Sequence, residues 1–181
     1  MLDLEINYKA QDLAGITMPK AEEVSNNVIT LKTRFGVMEI DRDKTIKIPK
    51  GIVGFSEYKE YGLSVPSHTV LDGYMLLQSI DEADLTFILK PYDLSSGEID
   101  DKDLAGAMNQ YAIAPENLAV MLVTTLRQTP NAIQKTVNLR APVFIDTENK
   151  QAWQHILNSE KYIFGCSFNY YDMKSFLMFY I

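Results

Sequence analysis

The sequence predicts a mainly β fold, a barrel or a sandwich of about nine or ten short strands beside one helix. Three observations predict it. Apolar and polar residues alternate from Thr136 to Asp146. Turn-forming residues recur every few positions along most of the chain. Helical spacing is clear in one segment, where Leu104, Ala107, Met108 and Tyr111 fall at i, i+3, i+4 and i+7.

The alternating stretch carries the most information. Val137, Leu139, Ala141, Val143 and Ile145 are apolar; Thr136, Asn138, Arg140, Pro142 and Asp146 are not, and Phe144 breaks the pattern. Successive strand side chains point to opposite faces, so this reads as a half-buried strand. Pro142 has no N–H for a ladder, which places the strand at a sheet edge or puts a bulge there. An edge is where a second chain docks by backbone pairing.

The other elements follow in order. Residues 1–27 are mixed polar, a flexible arm or a short helix. Val28–Thr33 and Val37–Ile40 form a hairpin around Arg34-Phe35-Gly36. Ile46 and Ile48 share a face. Gly51 and Gly54 beside Pro49 signal a tight loop. Ser56–Tyr61 suits one helical turn. Gly62–Val65 and Tyr74–Ser79 read as strands, and Leu85, Phe87 and Leu89 as another that ends at Pro91. The helix around Leu104–Tyr111 takes Asp100 or Asp101 as its cap and ends by Pro115. Leu118–Thr125 is short and continuously apolar, a central strand buried on both faces. Gln128–Asn131 and Glu148–Lys150 are turns. Gln151–Leu157 fits either a helix face or a hairpin partner of Val143–Ile145. Residues 164–181 form a Phe- and Tyr-rich tail whose default is docking on its own domain, with self-association as the alternative.

Composition narrows the function. The chain has 181 residues, 46% hydrophobic, enough for one domain with a real core. Its formal net charge is -7, which disfavours direct binding to nucleic acid and steers the protein toward basic partners. The one cysteine, Cys166, allows no internal disulfide and fits a reducing cytoplasm. No secretory leader or apolar membrane span is expected. Two histidines, His68 and His155, and one cysteine at unrelated spacing do not make a zinc site. No cofactor motif is present: Gly51–Phe55 lacks the spacing of a phosphate loop. Phe55 reads as a core plug and Tyr58 as a surface contact. Glu98, Asp100, Asp101 and Asp103 read first as helix capping on a solvated face, and second as an acidic docking patch. Lys44, Lys47, Lys50 and Lys59 form the densest basic group, expected to alternate with Glu57 and Glu60 on solvent.

Four ordered motifs resemble the flagellar assembly factor FliW family. They are Thr33-Arg34-Phe35-Gly36; Ile48-Pro49-Lys50-Gly51-Ile52-Val53-Gly54-Phe55; Leu77-Gln78-Ser79 with Phe87 and Lys90-Pro91-Tyr92; and Asn138-Leu139-Arg140-Ala141-Pro142-Val143 with Gln154-His155-Ile156-Leu157. Lys50, between the proline and glycine, and Lys90 depart from the family pattern. The resemblance covers about residues 28–162. It implies a small antiparallel β-barrel-like domain with one or two short helices, spanning 28–163 between an N-terminal extension (1–27) and the aromatic tail (164–181). It resolves Gln151–Leu157 in favour of a strand.

The resemblance also implies a non-enzymatic cytoplasmic regulator without cofactor or metal. Such a protein binds flagellin and the basic translational repressor CsrA, relieving repression of flagellin synthesis. The partner-contacting residues expected here are Glu57, Tyr58, Tyr92, Asp93, Asp100, Asp101 and Asp103. Oligomeric state is expected to be a monomer or a weak oligomer through the tail. Two rivals remain. A small-molecule-binding or hydrolytic barrel needs His68 or His155 beside a carboxylate in a deep pocket. An RNA-binding barrel needs a basic face with stacking aromatics.

Overall fold

A computed structural model describes residues 27–66, 69–128, 130 and 132–163. The expectations for residues 1–26, His68, Cys166 and the aromatic tail lie outside these residues.

Ten strands and one α-helix are present among the described residues. Strands β1 (Val28–Thr33) and β2 (Gly36–Asp41) form the separate hairpin that the sequence predicts, paired from Val28↔Asp41 to Thr33↔Gly36. The rest build one sheet from β3 (Ile46–Lys47), β4 (Glu60–Ser64), β5 (Met75–Ser79), β6 (Thr86–Pro91), β7 (Leu118–Gln128), β8 (Ile133–Val137), β9 (Val143–Asp146) and β10 (Gln151–Gln154). Pairing runs β6-β5-β4-β3-β10-β9-β7, and β7 returns to β6. Seven strands therefore close into a ring, which settles barrel over sandwich. Closure removes exposed sheet edges from those strands. Every neighbouring pair is antiparallel except β3 with β10, where Gln151 lies opposite Lys47 in parallel.

One apolar cluster draws on every strand of the ring. It contains Ile46, Tyr61, Leu77, Phe87, Leu89, Met121, Val143, Ile145 and Ala152. That is the barrel interior. A second cluster lies outside the wall, under helix α1 (Asp101–Tyr111), and joins Leu104 and Ala107 to Val120, Leu122, Phe144 and Leu157. A third, smaller cluster of Met38, Leu71 and Leu76 sits beneath the β1–β2 hairpin.

Two covered faces explain two sequence signals. In β7, Met121 faces the interior while Val120 and Leu122 face α1, hence its continuous apolar run. In β9, Phe144 lies under α1, while Val143 and Ile145 point inward. Phe144 broke the alternation because the wall is buried on both sides there. The half-buried reading of β9 is thus corrected: all four of its residues are buried.

The single strand expected over Thr136–Asp146 is two strands. Between β8 and β9 the side chain of Asn138 accepts hydrogen bonds from the N–H groups of Arg140 (3.0 Å) and Ala141 (3.1 Å), forming a tight turn. Pro142 stands at its exit, fully buried, with its carbonyl accepting from the His155 N–H at 2.9 Å. Pro142 precedes β9 and lies outside both strands, so neither strand carries it as a bulge. The edge alternative fails for β9, which lies between β7 and β10.

Three boundaries differ from expectation. Ser56–Tyr61 forms no helix: residues 56–57 are a turn and Glu60 and Tyr61 open β4. Gly51 adopts φ +69°, and a Cβ there would lie 2.7 Å from the Phe55 carbonyl oxygen and from Ser56 Cα, so the loop folds back tightly onto this glycine before β4 begins. Helix α1 ends at Tyr111, not at Pro115, because Ala112 takes the left-handed conformation (φ 55°). Asp100 occupies the cap position, but its side chain makes no capping bond. Gln151–Gln154 is a strand paired with β9 from Gln151↔Asp146 to Gln154↔Val143, so the helix alternative is removed.

Candidate functional site

Residues 92–103, from the end of β6 into the first turn of α1, display carboxylates on a fixed backbone. Two buried tyrosines fix it. The Tyr92 hydroxyl accepts from the Ile99 N–H at 2.7 Å. The Tyr162 hydroxyl accepts from the Asp100 N–H at 3.0 Å and donates to Asp103 Oδ2 at 2.6 Å. Ile99 itself is fully buried. Asp93, Glu98, Asp100 and Asp101 remain exposed, as does the apolar Leu94 between them.

Each carboxylate has a defined environment. Asp93 accepts from the Ser95 hydroxyl (2.7 Å) and the Ser95 N–H (2.9 Å), which hold its carboxyl below the usual range. Asp100 pairs with Lys161, raising the lysine's proton affinity. Asp101 is exposed in the first helical turn, where negative charge suits the helix dipole. Asp103 is half-buried against Tyr162. The cluster thus sits at a helix N-terminus and faces water, without the side-chain capping bond that the first reading expects.

The seven expected contact residues come from two chain segments. Asp93, Asp100, Asp101 and Asp103 share the loop–helix segment. Tyr92 belongs to that segment but is 8% exposed, an internal prop instead of a contact. Glu57 and Tyr58 lie on the loop between β3 and β4. Glu57 is exposed, whereas Tyr58 is half-buried and packs against the barrel interior, as does Phe55. Phe55 meets Phe87 edge-to-face at 5.4 Å, which fits its reading as a core plug. Asp81, unremarked in the sequence, joins Glu57 here. Burial first, then the charges of Glu57 and Asp81, pushes the Tyr61 hydroxyl well above its ordinary proton affinity. Only folding brings residues 57 and 81 to the same tyrosine, and no local signal marks the pair.

His155 is the second feature that sequence reasoning missed in detail. Its Nδ1 lies 2.9 Å from the Tyr111 hydroxyl. Its ring meets Tyr111 and Phe144 edge-on at 5.6 and 5.8 Å, and Tyr111 stacks on Trp153 at 4.8 Å. Burial lowers its proton affinity, and the charge of Asp103 partly opposes that. The imidazole ties α1 to the end of β10. Among the described residues no group of His, Cys, Asp and Glu has the arrangement of a metal site, and no helix is long and apolar enough to cross a membrane.

A ring of seven strands, filled with side chains and buttressed by one external helix, defines a small, mainly antiparallel β-barrel protein. Its relatives are specific. The family model described as FliW protein matches residues 29–166. The flagellar assembly factor FliW of Syntrophus aciditrophicus is 30% identical over 139 residues, covering 72% of this chain and 80% of that one. The flagellar assembly factor FliW of Geotalea uraniireducens is 31% identical over 131 residues, covering 72% and 77%. A crystal structure of the flagellar assembly factor FliW superposes with a TM-score of 0.58 at 26% identity, covering 74% of this chain and 91% of that one. The chain belongs to the FliW family.

Proposed function

We propose that the chain is a non-enzymatic regulator of flagellum assembly, acting in the cytoplasm by binding flagellin and the basic repressor CsrA and so relieving repression of flagellin translation. One observation carries the reading: a rigid, outward-facing acidic segment, Asp93 to Asp103, held by Tyr92 and Tyr162. Fixed negative charge on a molecule of net charge -7 accelerates encounter with a basic partner and selects against acidic ones. Family membership supplies the flagellar context. Strand β1, which pairs only with β2 among the described strands, offers an edge for an extended segment of a second partner. Binding of one partner then weakens or excludes the other, and no step of this scheme needs bond chemistry.

Titration of labelled CsrA and of labelled flagellin against the protein, at low and at physiological salt, tests the proposal. CsrA binding weakens as salt rises, and the double change Asp100→Asn with Asp101→Asn weakens it further. Absence of binding to both partners sinks the reading.

A further inference from the structure

The two strands of the β1–β2 hairpin are covered unequally. Register sets Ile29 opposite Ile40 and Leu31 opposite Met38, so these four side chains share one face. Ile40 and Met38 are buried, at 5% and 8% exposure, whereas Ile29 and Leu31 are only half-buried. The reason is position. Strand β2 rests on the barrel wall, where a Cβ on Gly62 would lie 2.6 Å from Ile40 Cγ2. Strand β1 has β2 on one side and no described strand on the other. The opposite face of β1 carries Val28, Thr30 and Lys32, all exposed.

The backbone of β1 has the same asymmetry. The Arg42 N–H donates to the Asn27 carbonyl at 2.9 Å, which makes residues 27 and 42 a bonded pair. Bonded and non-bonded pairs alternate along an antiparallel ladder. Ile29, Leu31 and Thr33 therefore bond to β2, and the N–H and C=O groups of Val28, Thr30 and Lys32 point away from it. A half-covered apolar rim and a row of free backbone groups thus run along the same edge, which suits one more strand.

We infer that residues 2–8 of this chain dock along β1 as that strand, antiparallel to it. The segment lies outside the described residues, and three arguments select it. Its pattern fits: Leu2, Leu4, Ile6 and Tyr8 alternate with Asp3, Glu5 and Asn7. With the apolar set on the face of Ile29 and Leu31, the acidic set shares the outer face with Lys32. The connection fits as well. Residues 9–26 lead directly into Asn27 at the start of β1, and they need to cross only one strand spacing of about 4.8 Å. Tethering favours it over a second copy, because a linked strand acts at an effective concentration of about a millimolar. The edge is the one offered above to a second partner, so that partner must displace residues 2–8. This consequence rests on the proposed function; the docking itself does not.

Amide hydrogen exchange of the full-length chain, read residue by residue by NMR, tests the inference. The outward amides of Val28, Thr30 and Lys32 should exchange at least about tenfold more slowly in the parent chain than in Leu4→Asp/Ile6→Asp. Leu13→Asp/Ile16→Asp, outside the segment, should leave their rates within about twofold of the parent. Amides of β9 and β10 show that each variant is folded. Unprotected outward amides in the parent chain, or equal protection in Leu4→Asp/Ile6→Asp, overturn the inference. Protection that is lost on dilution also overturns it and assigns the edge to a second copy. The assay contains neither CsrA nor flagellin, so its failure leaves the proposed function standing.

Discussion

The barrel wall under α1 and the loop that leads into α1 are neighbours built by opposite rules. In the wall, Val120, Leu122 and Phe144 pack against Leu104 and Ala107 and are nearly or fully buried. In the loop, Tyr92 and Ile99 are buried, and the backbone is held by two tyrosine hydroxyls instead. The wall is stabilised by area, which is non-directional and tolerant of small shifts. The loop is positioned by a few directional bonds, which leave its carboxylates in water. Stability and display are thereby separated along the chain: changes in the wall should act on folding, and changes in the loop on association.

The sharpest way to break this contrast is to empty the wall. Phe144→Ala removes a fully buried ring between barrel and helix and should cost about 3–5 kcal/mol, read by denaturant unfolding. A cost near that of a surface change would mean that α1 does not depend on the wall. Next in size is Tyr162→Phe. It leaves the Asp100 N–H and the Asp103 carboxylate without their shared hydroxyl, and should cost about 1–2 kcal/mol. It should also broaden amide signals of residues 98–103 in NMR spectra while leaving β9 and β10 unchanged.

A third test uses His155, which joins the two regions. Its folded proton affinity lies below the ordinary value of 6.5 because burial disfavours the charged ring. The unfolded chain therefore binds the proton first as pH falls. Stability is full above about pH 6.5 and declines below it, until the folded ring also titrates. His155→Gln should flatten that decline in melts recorded between about pH 7 and 5. The smallest expected effect on folding is Asp101→Asn. An exposed first-turn carboxylate should change stability by less than about 0.5 kcal/mol. Under the proposed function its association rate with CsrA should nonetheless fall at low salt and converge on that of the parent chain as salt rises.

The same contrast explains what could be read without coordinates. The β1–β2 hairpin was legible from its turn, and β6 from Leu85, Phe87 and Leu89 at every second position, all of which join the barrel interior. The i, i+3, i+4, i+7 stripe gave α1 for the same reason. Thr136–Asp146 was misread as one half-buried strand because the Asn138 turn preserves the period while breaking the ladder. Phe144 was legible only as an anomaly until α1 was seen above it. At the site, type and position of the carboxylates were visible from composition. Nothing local in sequence tells an inward tyrosine such as Tyr92 from an outward one. Asp81 and His155 went unassigned because their partners are remote in sequence, at Tyr61 and Tyr111.

By itself, the sequence determined a β-rich chain with one amphipathic helix, negative overall, carrying the ordered motifs of its family. Those properties live in spacing and charge, which chain connectivity preserves. Tertiary structure alone decided that β7 returns to β6 to close the ring, that both sides of β9 are covered, and that the Tyr162 hydroxyl reaches Asp100 and Asp103. Each of these depends on contacts between segments far apart in the chain, and such contacts are selected by the packing of the whole core, not by any local pattern.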